Sequence, residues 1–187
     1  MSVIITGAAS GIGLATAELF ATQPLGEGPA QLLLADRDAE GLRKAAASLA
    51  DLGAEIEIAT ADLSDPGAGA AIVDAAIRRF GSLQALVSNA GAIHRVPLAE
   101  LDAAAFDLMM AVNVRATLML GQAAYPHLST SRGAIVATAS SAADHPAIPL
   151  GAYSTSKAAL IMLVRQMAGE WGPAGIRCNC VSPGPTH

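Results

Sequence analysis

A tyrosine and a lysine four residues apart offer the clearest chemistry in this sequence. Tyr153 and Lys157 lie in the segment GAYSTSKAAL, which falls in a predicted helix. On a helix this spacing places both side chains on one face, so the lysine ammonium favours the ionised form of the phenol beside it. A phenol held in this way can take up and release a proton. The pair alone leaves its role open, because the same spacing occurs on helices where the tyrosine is half-buried and the lysine lies in water.

The elements that must position this pair alternate along the chain between short strands and helices. Strands are predicted at 3–6, 31–35, 56–59, 85–88, 134–139 and 176–181, and helices at 11–22, 39–52, 68–80, 101–127 and 153–171. Such alternation predicts a parallel sheet, and strands that are apolar on both faces require helices on both sides of it. We therefore expect a doubly wound, Rossmann-type α/β fold of three layers.

The composition suits one compact domain over residues 1–187. The chain is 52% hydrophobic and 14% charged, and its net charge of −5 with scattered basic residues argues against a nucleic-acid partner. Apolar stretches such as 158–164 are short of a membrane span, and the N-terminus begins directly with a strand, so we expect a cytoplasmic protein with no membrane segment. Cys178 and Cys180 lie on one face of a predicted strand, a placement that favours neither a disulfide between them nor a metal site.

A glycine-rich turn follows the first predicted strand and opens the first predicted helix. It has the sequence TGAASGIG and contains Gly7, Ser10, Gly11, Ile12 and Gly13. Glycines at these positions permit a tight turn and let backbone N–H groups approach a pyrophosphate at the helix N-terminus, where the helix dipole favours anions. The turn therefore predicts a dinucleotide-binding site.

An acid at the end of the second predicted strand supports the same site. Asp36 lies 23 residues beyond Gly13 and is placed to hydrogen-bond the hydroxyls of an adenosine ribose. Because a carboxylate repels a 2′-phosphate, we expect NAD rather than NADP as the cofactor. Arg37 keeps NADP open as the alternative, since its guanidinium is suited to contact that phosphate.

Two further strand ends contribute to the same crevice. Asp62 and Leu63 follow the third predicted strand and are placed to meet the adenine. Asn89, Ala90 and Gly91 follow the fourth and let the backbone pass close to the ribose. In an open parallel sheet, ligands bind at the carboxyl ends of the strands, so all five residues are predicted to face the cofactor.

At these motifs the chain resembles the classical short-chain dehydrogenase/reductase family over residues 3–184. The matching motifs are TGxxxGIG at 6–13, Asn89-Ala90-Gly91, Asn113, Ser140, Tyr153 with Lys157, and Pro183-Gly184. Ser88 departs from the family, which often has Asn there, and a backbone role at that position survives the change.

The resemblance implies a role for each matching residue. It implies that Tyr153 is the general acid/base for the substrate oxygen, and that Lys157 favours its ionised form and binds the nicotinamide ribose. It also implies that Ser140 orients the substrate oxygen and that Asn113 holds a water linking Lys157 to solvent. Two more implied groups complete the site: Pro183 and Gly184 against the nicotinamide, and His145 and Leu150 bordering the substrate.

The activity that the resemblance implies is hydride transfer between NAD(H) and a secondary alcohol or ketone. The stretch 133–184 is also similar to enzymes that oxidise cyclic dihydrodiols, including dihydro-dihydroxybenzoate dehydrogenase. Two alternatives from other classes stay open: a non-catalytic dinucleotide-binding module, and a lyase or isomerase that uses bound NAD without net turnover.

The resemblance also sets expectations about the chain end and about assembly. Related enzymes continue past the Pro-Gly turn through a substrate-covering region to a seventh strand. We therefore expect this sequence, which ends at His187, to lack the last strand and the substrate lobe and to leave the sixth strand at the sheet edge. The two long helices resemble those of the family's dimer interface, so a homodimer or homotetramer is expected.

Overall fold

The structure, a computed structural model, describes residues 1–23 and 26–184. Within those residues its centre is a six-stranded sheet in the order β3-β2-β1-β4-β5-β6, with every neighbouring pair parallel. The strands are β1 (Ser2–Thr6), β2 (Gln31–Asp36), β3 (Glu55–Thr60), β4 (Ala85–Ser88), β5 (Ala134–Thr138) and β6 (Arg177–Val181). The chain order reverses between β1 and β4, as the predicted doubly wound fold requires.

Helices cover both faces of this sheet. They are α1 (Gly11–Thr22), α2 (Ala39–Asp51), α3 (Ala68–Phe80), α4 (Ala103–Met110), α5 (Ala116–Ser131) and α6 (Gly151–Trp171). Side chains alternate between the faces along each strand. In β1, Val3 and Ile5 pack with residues of α1 and α2, whereas Ile4 packs with residues of α3, α5 and α6. The three-layer α/β architecture is confirmed.

The two edge strands are less buried than the sequence suggested. Glu55 and Glu57 of β3 are only half-buried, and Arg177 and Asn179 of β6 are exposed. Each edge strand has a neighbouring strand on one side only, so its other side lies at the border of the sheet. The expectation that every strand is apolar on both faces was therefore wrong for β3 and β6.

The helix predicted at 101–127 differs from the observed one at both ends and in the middle. It begins at Ala103, where the Asp102 side chain accepts a hydrogen bond of 2.7 Å from the Ala105 N–H. A π-helical turn, Ala111–Arg115, separates α4 from α5, which continues past Pro126 to Ser131. The proline suggests an earlier end than the one observed, because it removes a helical N–H.

The whole helical stretch Ala103–Ser131 is long and apolar enough to cross a membrane by length and composition, with a mean hydropathy of 1.4 over its most apolar window. The expectation that no stretch reaches this length was wrong. Core helices of proteins without a membrane segment have the same properties, and α5 here packs against α3. Only 33% of that window is buried, so much of its apolar surface faces outward in the single chain.

Candidate active site

The predicted site residues gather at the carboxyl edge of the central strands. The glycine-rich turn follows β1, the Asn89-Ala90-Gly91 segment follows β4, and Ser140 follows β5. These three strands lie side by side, and the chain reverses direction across the sheet between β1 and β4. A crevice forms at such a reversal because the connecting loops leave the sheet on opposite faces.

Asn89 and two threonines tie these strand ends together. The Asn89 side-chain N–H donates to the carbonyl oxygen of Thr6 at 3.2 Å, and its Oδ1 accepts from Thr138 Oγ1 at 3.1 Å. Thr6 Oγ1 accepts from the N–H groups of Asn89 and Ala90 at 3.0 and 3.1 Å. Side chains thus fix the edge where a cofactor must approach closely. Thr138 was missed at the sequence level, where its only signal is a hydroxyl on the last residue of a strand.

The glycine-rich turn has the geometry of a phosphate cradle. Gly7 and Gly11 have φ angles of 67° and 54°, which side-chain-bearing residues rarely adopt. A Cβ at Gly13 would overlap the carbonyl oxygen of Gly7, so only glycine lets the start of α1 pack on the turn. The backbone at Gly11 faces open space. Because the first N–H groups of a helix lack partners within it, the residues present fit a bound pyrophosphate.

Two other residues of the turn lie at the surface. Ser10 is the N-cap of α1 and makes no side-chain capping bond. Ile12, in the first turn of α1, is 37% exposed. Both lie on the turn, as predicted, and neither is sealed into the core.

Asp36 is the last residue of β2 and is fixed by backbone hydrogen bonds. Its Oδ2 accepts from the Ala9 N–H in the glycine-rich turn, and its Oδ1 accepts from the Asp38 N–H, both at 3.1 Å. The carboxylate is only half-buried. The acid is therefore oriented beside the turn and keeps an accessible side for a ligand.

Asp62 and Arg37 lie near each other at the end of β3. The N–H of Ser64 donates to Asp62 Oδ1 at 2.8 Å, and this bond lowers the pKa of the Asp62 carboxyl. The charge of Arg37 makes a further, smaller contribution in the same direction. Leu63 is half-buried against the core beneath α3. Of the two residues predicted to meet an adenine, Asp62 is the one with a polar group at the surface.

Lys157 is buried and anchored to the sheet. It is 3% exposed, and its Nζ donates a 2.7 Å hydrogen bond to the carbonyl oxygen of Thr138. The same Nζ lies 5.7 Å from the centroid of the Tyr153 ring, which is half-buried. Burial lowers the pKa of Lys157 to about 8. The lysine still carries its proton at pH 7, so a positive charge lies beside the phenol, as the helical spacing predicted.

Asn113 lies in the π-helical turn and is fully hydrogen-bonded. Its Oδ1 accepts from the Ala92 N–H at 2.7 Å, and its Nδ2 donates to the Ala92 carbonyl and to Ser156 Oγ, both at 2.9 Å. Ser156 Oγ in turn donates to the carbonyl of Tyr153 at 2.7 Å. Asn113 thus joins the segment after β4 to the helix that carries Tyr153. The structure gives it a packing role, and its implied part in holding a water stays a prediction.

At Gly91 the segment after β4 passes against the side chains of Asn113 and Lys157. A Cβ at this position would lie 3.3 Å from Asn113 Oδ1 and 3.4 Å from Lys157 Nζ. The backbone at Gly91 thus passes close to both side chains, and a Cβ there would make a tight contact with Asn113 Oδ1.

Ser140 and Pro183 lie on adjacent segments at the ends of β5 and β6. Ser140 Oγ accepts a 3.2 Å hydrogen bond from the Ala142 N–H, which leaves its own hydroxyl proton available. The next residue, Ser141, is exposed, and its N–H donates to the Pro183 carbonyl at 3.0 Å. The Pro183-Gly184 turn is thereby held next to the loop that begins at Ser140.

A cavity of about 540 Å³ adjoins this loop. Both predicted substrate-bordering residues line it: Leu150, which is half-buried, and His145, which is exposed. Across the site, direct contacts link Asn89, Gly91, Asn113, Thr138, Tyr153 and Lys157. Asp36, Arg37 and Asp62 form a separate group at the ends of β2 and β3.

Comparison with known proteins gives one consistent result. Residues 1–187 match the family described as short chain dehydrogenase. Cis-4-hydroxycyclohexanecarboxylate dehydrogenase of Sinomonas cyclohexanicum is 38% identical over 183 residues, which are 97% of this chain and 71% of that protein. D-threitol dehydrogenase of Mycolicibacterium smegmatis is 36% identical over 182 residues, 96% of this chain and 68% of that protein.

Solved structures agree. NAD⁺-bound xylitol dehydrogenase superposes with a TM-score of 0.91 at 32% identity, covering 98% of this chain and 69% of that one. A short chain dehydrogenase from Burkholderia cenocepacia in complex with NADP gives a TM-score of 0.92 at 35% identity, covering 99% of this chain and 74% of that one. These relatives are oxidoreductases, and the two structures hold nicotinamide dinucleotides, one NAD⁺ and the other NADP. The chain belongs to the short-chain dehydrogenase family.

Proposed function

We propose that the protein transfers a hydride between NAD(H) and a secondary alcohol or ketone, with Tyr153 as the general acid/base. The observation that carries this proposal is the buried Lys157 ammonium, anchored on the Thr138 carbonyl and 5.7 Å from the Tyr153 ring. A buried cation beside a phenol is costly for stability, and it favours the negative charge that a phenol must carry to accept a proton.

The chain's own residues are suited to hold the cofactor. The N–H groups of the glycine-rich turn would bind the pyrophosphate, Asp36 the adenosine ribose, and Lys157 with the Asn89-Ala90-Gly91 backbone the nicotinamide ribose. When bound, a nicotinamide dinucleotide accepts a hydride from an alcohol carbon or donates one to a carbonyl carbon.

Proton transfer falls to the protein. In the oxidation direction the Tyr153 phenolate takes the proton of the substrate hydroxyl, and in reduction the phenol returns it to the carbonyl oxygen. The Ser140 hydroxyl, whose oxygen already accepts from the Ala142 N–H, donates to the same substrate oxygen and orients it. Lys157 places its ammonium beside the Tyr153 ring. Asn113 fixes the helix that carries Tyr153 through Ser156.

NAD is the proposed cofactor in preference to NADP. Asp36 is a half-buried carboxylate at the end of β2, and its two oxygens accept hydrogen bonds from the N–H groups of Ala9 and Asp38. A 2′-phosphate at this position would meet like charge. Arg37 provides the opposing charge, but it lies near Asp62, which partly balances it.

We also propose that two or four copies of the chain assemble through α5 and α6. A groove of about 450 Å³ lies between these helices and is lined by Leu118, Gln122, Tyr125, Leu163, Gln166, Met167, Glu170 and Trp171. Met162 on α6 and Leu108 on α4 are 59% and 45% exposed, so apolar surface remains uncovered in the single chain. Light scattering on the purified protein tests this, and a monomer at micromolar concentration would contradict it.

The experiment for the activity compares two tyrosine variants. NADH formation is followed with a panel of secondary alcohols for the wild type, Tyr153→Phe and the control Tyr125→Phe, whose ring packs on Trp171 far from the site. We expect Tyr153→Phe to lose about 10²–10⁴-fold in kcat, the usual contribution of acid–base catalysis, and Tyr125→Phe to keep full activity. NADH binding, measured by its fluorescence, should survive in both.

Other outcomes separate the alternative functions. A wild type that binds NADH but oxidises no alcohol and reduces no ketone would favour the non-catalytic module. Product formation without NADH accumulation would favour a lyase or isomerase.

A further inference from the structure

The segment after β3 is held to the π-helical turn by a long side chain. Arg115, the last residue of that turn, donates a 2.6 Å hydrogen bond from its guanidinium to the carbonyl oxygen of Ser64. The two residues are 51 positions apart in the sequence, so this contact exists only in the folded chain. A guanidinium gives the bond a charged donor with a fixed direction. The bond therefore fixes where the segment after β3 lies relative to the turn.

Ser64 is also the residue that orients Asp62. The Ser64 N–H donates to Asp62 Oδ1 at 2.8 Å, and the Asp65 N–H donates to the Asp62 carbonyl oxygen at 3.0 Å. Ser64 thus uses its N–H for Asp62 and its carbonyl oxygen for Arg115, so its backbone is held on both sides. The Asp62 carboxylate takes its orientation from a residue that Arg115 anchors.

Residues 62–66 have few other contacts that fix their position. Asp62 and Asp65 are exposed, and Leu63 packs against the core. Asp65 bonds to the N–H groups of residues 67 and 68, at the start of α3. Within residues 1–23 and 26–184, Arg115 supplies the only hydrogen bond that reaches residues 62–66 from a distant element. Removal of its side chain would therefore loosen the segment that carries Asp62.

The same π-helical turn holds the other end of the proposed cofactor site. Asn113, two residues before Arg115, bonds to Ala92 after β4 and to Ser156 on α6. Asn113 is buried and Arg115 is exposed, so the two side chains leave the turn on different sides. π-helical turns are frequent at functional sites. This one is joined through Asn113 to the proposed nicotinamide end and through Arg115 to the predicted adenine end.

We propose that Arg115 is a positioning residue for the adenine end of the cofactor site. It holds Ser64 so that the Asp62 carboxylate can accept a hydrogen bond from the adenine amine. An acceptor that is already oriented loses less conformational freedom on binding, which favours affinity. In this role Arg115 touches neither the cofactor nor the substrate. The inference rests on the proposed function, because it assumes that a nicotinamide dinucleotide binds with its adenine at Asp62.

Two substitutions of similar length test this role. Arg115→Met removes the hydrogen-bond donor, and Arg115→Lys keeps a donor and the charge. We expect Arg115→Met to raise the Kd for NADH about fivefold, the loss expected for one exposed hydrogen bond. Arg115→Lys should restore most of the affinity. Fluorescence of bound NADH measures both values.

Arg78→Met is the control for the change in charge. Arg78 is exposed in the last turn of α3, at the end of that helix away from Ser64. The control should bind NADH as the wild type does. Unchanged affinity in Arg115→Met, or an equal loss in Arg78→Met, would overturn the proposal.

Steady-state kinetics separates positioning from a general loss of structure. Arg115→Met should raise the KM for NAD about fivefold, while kcat at saturating NAD and the KM for the alcohol stay at their wild-type values. A matching fall in kcat would mean that the substitution also disturbs the Asn113 side of the turn. That result would contradict a role confined to the adenine end.

Adenosine and AMP show how Arg115 acts, and their binding needs no turnover. Displacement of NADH from the protein gives the affinity for each. Positioning through Ser64 predicts that Arg115→Met weakens both about fivefold. A loss for AMP alone would mean that the guanidinium attracts the phosphate by its charge, and it would overturn the proposal. An equal loss for both, in a protein that oxidises no alcohol, would support this inference and refute the proposed hydride transfer.

Discussion

Lys157 Nζ donates a 2.7 Å hydrogen bond to the carbonyl oxygen of Thr138, the last residue of β5. The lysine therefore approaches the site from α6 but is anchored on the central sheet. The described residues place no carboxylate in a salt bridge with it, and the side chain is 3% exposed. An ammonium in such a place keeps a charge that the fold does not neutralise, at a cost in stability.

Replacing Lys157 should therefore change how stability depends on pH. Burial lowers the pKa of the folded-state lysine from 10.5 to about 8. Between these values the unfolded chain binds a proton that the folded chain does not, so the free energy of unfolding rises with pH from about 8 to 10.5. The full effect is about 3 kcal/mol. Lys157→Met lacks this contribution. We therefore expect the variant to be more stable than the wild type near pH 8, and this difference in the free energy of unfolding to shrink as the pH rises to 10.5.

Urea unfolding at several pH values measures this difference, because other titrating groups cancel between variant and wild type. Lys44→Met is the matched control, since Lys44 is exposed and pairs with Glu40 on the surface of α2 at 2.7 Å. Its difference from wild type should stay flat above pH 8. A flat difference for Lys157→Met as well would mean that Lys157 is not desolvated.

Asp36→Asn should shift the cofactor preference toward NADP. The substitution keeps a side chain of the same size with one acceptor oxygen for the turn, and it removes the charge that opposes a 2′-phosphate. Loss of one charged hydrogen bond to the ribose is expected to lower kcat/KM for NAD by about 10–100-fold. The ratio of kcat/KM values for NADP and NAD should rise accordingly.

Asp38→Asn provides the control for this change in charge. Asp38 caps α2 by accepting from the Glu40 and Gly41 N–H groups, a role that Asn fills equally well. The control should retain the cofactor ratio of the wild type. If both variants changed the ratio alike, the effect would come from net charge rather than from Asp36.

Gly13→Ala tests the tight packing of α1 on the turn. The added Cβ would overlap the Gly7 carbonyl oxygen, which is backbone and has little freedom to move. We expect a loss of roughly 2 kcal/mol or more in the free energy of unfolding, and weaker NADH binding. Gly169→Ala, on the exposed surface of α6 with nothing near its Cβ, should instead gain about 0.5–1 kcal/mol. Urea unfolding of both compares them directly, and similar effects would refute the packing argument.

The sequence predicted the frame of the fold well where local signals and burial agree. Gly11–Thr22, Ala68–Phe80 and Ala85–Ser88 have the predicted bounds, since glycines and short apolar runs mark their ends. The π-helical turn at Ala111–Arg115 was not predictable. It allows Asn113 to reach Ala92 and Ser156, contacts that only the tertiary structure creates.

The site divides in the same way. The proximity of Tyr153 and Lys157 follows from their spacing on a helix. The position of Asp36 beside the glycine-rich turn follows from the order of the strands. The hydrogen-bond acceptor of Lys157 could not be predicted from the sequence, because every residue has a carbonyl oxygen. Only the packing of α6 on β5 selects the carbonyl oxygen of Thr138. The Asn113 amide is hydrogen-bonded to Ala92 and Ser156, as a buried polar side chain in an apolar helical stretch requires.

Ser154 and Ser156 are expected to respond in opposite ways to the same substitution. Ser154 Oγ is buried and has no hydrogen-bond partner within the described residues, whereas Ser156 Oγ accepts from Asn113 and donates to the Tyr153 carbonyl. A buried hydroxyl without a partner costs about 1–3 kcal/mol. Ser154→Ala removes that cost and improves helix propensity, so it should raise the free energy of unfolding by about 1 kcal/mol or more.

Ser156→Ala deletes the same atom two residues later but leaves an Asn113 N–H and a backbone carbonyl without their partner. It should lower the free energy of unfolding by about 1–3 kcal/mol. Urea midpoints at pH 7 give both values, and an unchanged slope shows that the unfolded state is comparable. Destabilisation by both variants would mean that Ser154 Oγ has a partner in solution. Changes of opposite sign in the free energy of unfolding would show that the Ser156 hydroxyl, which joins α6 to Asn113, stabilises the fold and that the Ser154 hydroxyl does not.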